Sequence, residues 1–389
     1  MNTLLTAEQQ ELARSVAAVG KKHYEDMAIE WDATSTHLPN SERKRLADLG
    51  YLGVAISPRW GGGGGELMDA LVIIEELAKC SSLPAFQVFE ANTGPARVVE
   101  LFGTDEQRAR YLPEIIAGEA TMAISISEPD AGSAASDLRT EGVRDGDTLV
   151  INGQKRWCSG AGVAEYYLVY VRLSGHRGAR GIGGVIVPRD TAGLTFGPQE
   201  QLMGFHGIPS ADMFFDDVRV PMANVVVPAS GFGKLMGAFS IERLGNATMS
   251  LALAQAALDR TASYVVERRQ FGQPIIEFQS VQNTLADMIM RVEAARLLIW
   301  RAATSTNGIT PDPQQVSIAK CFANETARTV SAQAVELHGG YGYHRDYHVE
   351  RYARDAMGWA IAGGTPTMQR TRIASGYLRR SFRQYRADG

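Results

Sequence analysis

The chain has 389 residues, of which 45% are hydrophobic and 21% are charged, a composition typical of a globular protein with two or three structural units. Its formal net charge is −4 and no basic stripe is present, so the sequence argues against nucleic-acid binding. No apolar run of about 18 residues occurs, so no membrane-spanning helix is predicted.

The N-terminal part of the chain is predicted to be helical. Thr6 and Gln9 match a capping box, and apolar residues follow them at helical spacing. A second helix is predicted over 41–49, and a third, amphipathic helix begins at Leu67. These patterns indicate a helical N-terminal domain.

Glycine and proline interrupt these helices at two places. Five consecutive glycines at 61–65 raise the question of a phosphate-binding loop, but neither Lys-Ser nor Lys-Thr follows them. We therefore predict a flexible surface loop there. Farther along, a short helix is predicted over 105–112 with its boundary at Pro113, because proline disfavours the helical conformation of the preceding residue.

The sequence changes character between residues 121 and 231. Short runs rich in Val, Ile, Phe and Tyr, such as 147–157 and 166–173, alternate with Gly, Asp, Asn and Pro. This pattern is typical of a small antiparallel β domain. No G-x-G-x-x-G segment lies at a strand-to-helix turn, so a Rossmann domain that binds NAD is not expected.

Helical periodicity returns at about residue 232 and persists nearly to the C-terminus. Apolar residues from Leu244 to Val265 mark one face of a long helix that is predicted to end near Glu267, and further helices are predicted over 280–304, 313–338 and 366–377. The whole pattern predicts an α+β protein with several domains. Its parts are an N-terminal α-helical domain at 1–120, a middle β domain at 121–231 and a C-terminal α-helical bundle at 232–389.

The cysteines and the N-terminus bear on cellular location. Cys80, Cys158 and Cys321 lie far apart and form neither a CxxC pair nor a His/Cys cluster, so we expect no metal site. Three such thiols are typical of a reducing compartment. The first residues are too polar for a secretory signal and include glutamates that a transit peptide avoids. We therefore expect a cytoplasmic protein.

Five segments of the chain, in this order, resemble those of one enzyme family. They are ISISEPDAGSAASDL at 124–138, NGQKRWCSGA at 152–161, ERRQFGQPIIEFQSVQ at 267–282, ELHGGYGYHRDYHVERYARDA at 336–356 and GGTPTMQR at 363–370. Together they resemble the acyl-CoA dehydrogenases over residues 6 to about 378. The resemblance implies that family's fold, with an N-terminal helical domain, a middle antiparallel β domain and a C-terminal four-helix bundle.

The resemblance also implies where the catalytic base lies. Enzymes of this kind remove an α-proton with a carboxylate and a β-hydride with a flavin, while donors stabilise charge on the thioester carbonyl. In many members the base precedes the Gly-Thr of the last motif, where this chain has Gly363. The isovaleryl and long-chain branches place it on the long helix before an arginine, which corresponds here to Glu242 and Arg243. We therefore expect Glu242 to be the base, in preference to a purely structural role at the helix start.

The lack of a side chain at Gly363 has two implied consequences. Its N–H would donate to the thioester carbonyl, and the space beside the reacting carbons suggests a short, branched or cyclic acyl group. The resemblance further assigns Arg243 and Ser133 to substrate contacts. Electrons would pass to an electron-transferring flavoprotein.

The resemblance implies FAD as the cofactor, with contacts from two regions. The residues expected to line the isoalloxazine ring and nearby phosphates are Ile126, Ser127, Ser133, Trp157 and Ser159. Those expected to reach the FAD of a neighbouring subunit, or to complete the site, are Arg268, Phe271, Gln279, Glu336, Gly339, Gly340, Thr365 and Thr367. A shared site of this kind implies a homo-oligomer, expected to be a tetramer.

Three positions depart from the family pattern. Glu336 replaces a usual Gln, Thr367 replaces a usual Gln or Glu, and His206 replaces a common Arg. The first two weaken the expectation of tight FAD binding. A negative charge at Glu336 would be unfavourable near a pyrophosphate unless it is protonated or paired.

Three alternative functions stay open at this point. The same chemistry could act on an acyl group tethered to a carrier protein in a biosynthetic pathway. An oxidase of the same fold would react with oxygen, although acyl-CoA oxidases usually carry an additional C-terminal domain. A non-catalytic scaffold or binding partner is the third alternative, motivated by Glu336 and Thr367.

Overall fold

The structure is a computed structural model, and it describes residues 5–307 and 309–382. The chain falls into two compact units, Met1–Glu242 and Arg243–Gly389. The outermost residues of the predicted domains 1–120 and 232–389 lie outside the described residues. The three predicted domain ranges remain a prediction.

The first unit begins with a series of helices. They are α1 (Ala7–His23), α2 (Glu25–Thr34), α3 (Asn40–Asp48), α4 (Leu67–Cys80), α5 (Ser82–Asn92), α6 (Pro95–Phe102) and α7 (Asp105–Ile116). The predicted capping box of α1 is present, since the Thr6 hydroxyl accepts from the Gln9 N–H and the Gln9 side chain accepts from the Thr6 N–H, each at 3.2 Å. Helices α4 and α5 supply much of the apolar core of this part.

The two predicted helix breaks have different outcomes. The glycines at 61–65 form a loop between α3 and α4 whose N–H groups donate to carbonyls of residues 53–58, so this loop is tied to the preceding chain. The predicted boundary at Pro113 is wrong, because α7 continues to Ile116. A proline inside a helix removes one N–H donor, yet the Pro113 carbonyl still accepts from Ala117 at 2.9 Å and closes the last turn.

Eight strands follow α7 and form one sheet. They are β1 (Met122–Ser125), β2 (Glu141–Asp145), β3 (Thr148–Ser159), β4 (Tyr166–Arg172), β5 (Ile182–Pro188), β6 (Leu194–Phe196), β7 (Ser210–Pro221) and β8 (Val225–Val227). Their order is β6-β7-β3-β2-β4-β5-β8, with β1 paired to β4. The sheet is mixed, since β1 runs parallel to β4 and β2 meets β4 in parallel at one pair, while the other pairings are antiparallel. Most pairings in the sheet are thus antiparallel, as expected for the middle β domain, and the parallel pairings are confined to β1, β2 and β4.

The long helix α8 (Phe232–Glu267) starts in the first unit and continues in the second. The second unit then contains α9 (Gln279–Thr304), α10 (Pro313–His338), α11 (Val349–Ile361) and α12 (Pro366–Leu378). Two short hairpins join them: β9 (Arg269–Gln270) with β10 (Gln273–Pro274), and β11 (Thr306–Asn307) with β12 (Thr310–Pro311). Helix α10 is central and packs against α9, α11 and α12, which confirms the predicted helical bundle.

Candidate active site

Strand β3 presents an indole ring at an irregular point of the sheet. Its register with β7 shifts between Lys155 and Cys158, and Trp157 there has a left-handed φ of 60° and is 51% exposed. A bulky residue with this backbone conformation is a genuine outlier that the surrounding structure must hold. The Arg156 guanidinium lies 4.1 Å from the centre of the indole and donates to Asp212 at 2.8 Å. Trp157 thus presents its indole ring to solvent, with the Arg156 guanidinium packed against the ring.

The segment after β1 lies beside this bulge. The Ser127 carbonyl accepts from the Arg156 N–H at 2.8 Å, and the Ile126 carbonyl accepts from the Lys155 ammonium at 3.1 Å. Ser159 is the last residue of β3. The structure therefore brings Ile126, Ser127, Trp157 and Ser159 to neighbouring strand ends, whereas Ser133 lies in an exposed turn farther along.

A buried ion pair holds the same strand ends together. Lys155 is completely buried and donates to Glu128 at 2.8 Å, while the Glu128 carboxylate also accepts from the N–H groups of Arg139 and Thr140 at 2.6 and 2.9 Å. Burial lowers the pKa of Lys155 to about 8, against the attraction of Glu128. Burial raises the pKa of Glu128, but Lys155 and the hydrogen bonds outweigh it and the net pKa is lowered.

Two carboxylates of the first unit interact with each other. Glu242 is buried in α8, and Glu90 on α5 lines two small cavities together with Arg43 and Gln87. The Glu90 Oε2 atom is shielded from solvent and has no hydrogen-bond partner among the described residues. Burial first, and then the charge of Glu242, raise the pKa of Glu90 well above its usual range. Glu90 therefore holds a proton more tightly than an ordinary glutamate does.

In the second unit, the turn before α12 is held by two cations. Gly363 and Gly364 have left-handed φ values of 68° and 95°. The Arg243 Nε donates to the Gly363 carbonyl at 3.0 Å, and the Lys320 ammonium donates to the carbonyls of Ala362 and Gly364 at 2.8 and 3.1 Å. The turn is therefore fixed on both sides of Gly363.

Thr365 and Thr367 have local roles next to this turn. The Thr365 hydroxyl caps α12 by accepting from the Met368 N–H at 3.3 Å. Thr367 is exposed in the first turn of α12, and its carbonyl accepts from the Thr371 hydroxyl.

An open cleft of about 600 Å³ lies at the C-terminal end of α10. Arg268, Gly339 and Gly340 line it, and a methyl group added at either glycine would meet nothing within 4 Å. The ring of Tyr264 stacks on His338 at 4.0 Å in the same cleft. The cleft therefore combines a cation, open backbone and aromatic surface.

The other residues implied to contact FAD in this region are exposed and lie outside the cleft lining. Phe271 is 93% exposed at the tip of the β9–β10 hairpin, with a left-handed φ of 50°. Gln279 begins α9, and Glu336 lies on α10, where its carbonyl accepts from the Gly339 N–H. His206, the third departure, contacts Asp32 through its Nδ1 atom at 3.2 Å.

Sequence reasoning overlooked the two buried lysines. Lys155 and Glu128 lie within the motifs that carry the family resemblance, yet no role was assigned to them. Lys320 interrupts the apolar run around 316–323, and a lone lysine among apolar residues of a central helix was the available signal. The raised pKa of Glu90 depends on tertiary burial and had no signal in the sequence.

Among the residues that the structure describes, no helix is long and apolar enough to cross a membrane. No group of three or more His, Cys, Asp or Glu side chains in that part of the chain could hold a metal ion.

Helices, a mixed sheet and a helical bundle follow one another in this order, and the family models place this arrangement in a class of oxidoreductases. The chain belongs to the acyl-CoA dehydrogenase family. The family's N-terminal domain matches residues 6–119, its middle domain matches 123–218, and its C-terminal domain matches 229–378. The resemblance and the fold inferred from the motifs are thereby confirmed.

Relatives and solved structures cover almost the whole chain. The chain is 37% identical to a 3-sulfinopropanoyl-CoA desulfinase of Variovorax paradoxus, with 99% of this chain and 98% of that protein aligned. It is 32% identical to butyryl-CoA dehydrogenase from Megasphaera elsdenii, with a TM-score of 0.92 and coverage of 96% and 99%. A chain from a structure of the electron transferring flavoprotein of Acidaminococcus fermentans is also 32% identical, with a TM-score of 0.93 and coverage of 97% and 100%.

Proposed function

We propose that this protein is an FAD-dependent dehydrogenase that introduces an α,β double bond into a short or branched acyl-CoA thioester. The observation that carries the proposal is Glu242, a buried carboxylate on α8 close enough to Glu90 to raise its pKa. At position 363, where many relatives carry the base, this chain has only a glycine. Glu242 is therefore the carboxylate available for proton abstraction.

Glu242 takes the α-proton of the acyl group, and the electron pair of the broken C–H bond stays with the substrate as an enolate. A carboxylate withdrawn from water is a stronger base, because burial disfavours its charged form. The Gly363 N–H donates to the thioester carbonyl, where the enolate charge develops. The absent side chain at Gly363 leaves room for branching, which supports a short or branched acyl group.

FAD is the cofactor that fits these residues. The exposed indole of Trp157, with Ile126, Ser127 and Ser159 beside it, suits a planar ring. The Arg268 guanidinium and the open backbone of Gly339 and Gly340 suit a diphosphate, because arginine matches phosphate oxygens and a side chain at the glycines would obstruct them. When bound, FAD supplies the acceptor for the β-hydride, which completes the two-electron oxidation.

Two partners follow from the same proposal. The electron acceptor is an electron-transferring flavoprotein, and the similarity to the Acidaminococcus fermentans chain supports it. The second partner is another copy of this chain in a tetramer. The aromatic side chain of Phe271, fully presented on its hairpin, supports a contact of this kind, as large apolar groups at the surface commonly mark interfaces.

The test is an anaerobic titration of the purified flavoprotein with straight, branched and cyclic acyl-CoA thioesters, in the wild type and in Glu242→Gln. We expect one acyl class to bleach the flavin band, and the variant to bleach about 10²- to 10⁴-fold more slowly, because it lacks the general base. Glu11→Gln, a change at an exposed residue of α1, is the matched control and should behave as the wild type.

Two outcomes would change the proposal. A Glu242→Gln variant that bleaches at the normal rate would show that another residue is the base. A yellow protein that no CoA thioester bleaches, but that a carrier-bound acyl group does, would move the substrate to an acyl carrier protein.

A further inference from the structure

Lys320 is a buried cation whose three donors all have acceptors. Its side chain has no exposed surface, and Nζ lies 2.9 Å from the Asn324 Oδ1 atom, 2.8 Å from the Ala362 carbonyl and 3.1 Å from the Gly364 carbonyl. A lysine ammonium has three N–H groups, so these acceptors account for all of them. Burying an ammonium costs free energy, and an apolar side chain at this position would pack in the core without that cost.

The surrounding helices form a polar network around this ammonium. The Asn324 amide donates to the Asn246 Oδ1 atom at 3.0 Å and to the Ser250 hydroxyl at 2.7 Å. Asn246 in turn donates to the Trp359 carbonyl at 3.2 Å and contacts the Ala362 carbonyl at 3.4 Å. The network joins α8, α10 and α11 to the turn, and it restricts where Lys320 can place its charge.

One of the carbonyls bound by Lys320 belongs to the peptide group that also contains the Gly363 N–H. The Ala362 carbonyl and the Gly363 N–H are parts of the same planar unit, so fixing the oxygen also fixes the direction of the N–H. A cation at the oxygen draws electron density from the amide and strengthens its N–H as a donor. The Gly363 carbonyl, which belongs to the next peptide, is held by Arg243. Both peptides that flank Gly363 are thus anchored.

We propose that Lys320 is a positioning residue of the reaction: it orients and polarises the Ala362–Gly363 peptide so that the Gly363 N–H stabilises the charge on the thioester carbonyl. This inference rests on the proposed function, because it assumes that the Gly363 N–H meets that carbonyl. Lys320 acts through the peptide and does not itself contact the substrate.

The experiment measures the carbonyl stretching frequency of crotonyl-CoA, labelled with ¹³C at the thioester carbonyl, when it is bound to the oxidised protein. In the wild type we expect a shift to lower frequency, because the N–H donor weakens the C=O bond. In Lys320→Met and Lys320→Gln we expect a smaller shift and a kcat about 10- to 100-fold lower, somewhat less than the loss of a whole oxyanion donor. KM and FAD content should change much less than kcat.

Thr326→Val is the matched control on the same helix. Thr326 is also fully buried in α10, and its hydroxyl has no hydrogen-bond partner among the described residues, so this change alters the core without removing a donor to the turn. It should leave the carbonyl frequency and kcat as in the wild type.

The outcomes separate this inference from the proposed function. A folded, FAD-loaded Lys320 variant with the wild-type carbonyl frequency and kcat would overturn the positioning role and leave the proposed function intact. Loss of folding in both Lys320 variants would also overturn it, since Lys320 would then be a structural residue. A wild-type protein that binds no FAD, or that does not shift the carbonyl, would instead contradict the proposed function.

Discussion

The two units each stabilise part of the candidate site with a fully buried lysine, but they satisfy its charge differently. In the sheet of the first unit, Lys155 binds the Glu128 carboxylate and the Ile126 carbonyl. In the helical second unit, Lys320 binds the Asn324 side chain and two carbonyls of the turn. The first arrangement is an ion pair, and in the second the ammonium is solvated by neutral amide oxygens.

This difference suits the two segments. Ile126 and Glu128 follow β1, and an ion pair ties them strongly to β3 next to the strained Trp157. The turn at 362–364 instead needs one peptide to keep a strong donor, and a cation on its carbonyl serves that purpose. A carboxylate in the same place would compete for the ammonium and weaken its effect on the peptide. The kind of partner therefore matches what each segment has to do.

The largest effect that tests this comparison is expected from Lys155→Met. This change leaves the Glu128 charge buried without its cation, so the free energy of unfolding should fall by about 3–5 kcal/mol. In Lys320→Met the free energy of unfolding should fall by less, about 1–3 kcal/mol, because the acceptors that lose their donor are uncharged. Urea unfolding of both variants measures the difference, and FAD affinity should fall in Lys155→Met as the strand ends loosen.

Two further variants make this prediction sharper. Lys155→Met combined with Glu128→Met should recover most of the lost stability, because no charge is then left buried. Arg219→Met removes one partner of an exposed ion pair with Asp145 on the same sheet, and it should change the stability by less than about 1 kcal/mol. Equal losses in Lys155→Met and Lys320→Met would remove the contrast between the two units.

Much of the fold could be predicted from local patterns. Helix α10 has the predicted bounds and α8 ends at the predicted Glu267, because each carries a continuous apolar face. The start of α8 was not predicted: it begins at Phe232, so Glu242 lies inside the helix and not at its start as expected. The capping box at Thr6 is equally local. The helices α5 and α11 were not predicted, and α5 is buried on nearly all sides, so it lacks the amphipathic pattern on which such a prediction depends.

The candidate site likewise contains features that the sequence could predict and features that it could not. Residues such as Trp157 and Gly363 were found through motifs, since a resemblance carries information that periodicity lacks. The interactions that support them join positions far apart in sequence, as in the bond from Lys320 to Ala362, and no local pattern encodes such a pair. Likewise, the left-handed backbone of Trp157 goes against the preference of its residue type, and only the tertiary structure reveals it.

A substitution in the turn at 362–364 gives a second test of the comparison, with a smaller expected effect. Gly363→Ala places a Cβ on a backbone with φ of 68°, which costs about 1–2 kcal/mol for an L-residue. We expect urea unfolding to show a loss of this size, together with a lower kcat because the peptide shifts away from Lys320. Gly175→Ala is the control, since an added methyl group there meets nothing within 4 Å and φ lies outside the left-handed range. A Gly363→Ala variant as stable and active as the control would show that the turn tolerates other conformations.

The smallest predicted effect extends the comparison to Glu90, whose pKa is shifted in the opposite direction from that of Glu128. Glu90 has a raised pKa, through burial first and the charge of Glu242 second, whereas the pKa of Glu128 is lowered beside Lys155. For a group whose folded-state pKa is raised, the folded protein holds the proton more tightly than the unfolded chain. Its contribution to stability is therefore full below the ordinary glutamate pKa and is lost as pH rises through the raised value.

Glu90→Gln keeps the shape of the protonated side chain but cannot ionise. Between pH 5 and pH 9, its free energy of unfolding in urea should therefore decrease less than that of the wild type. Glu11→Gln, a change at a solvent-exposed position, is the control and should follow the wild type. If the wild type and Glu90→Gln gave parallel curves, Glu90 would be solvated in the folded protein. The electrostatic link between Glu90 and the proposed base would then be lost.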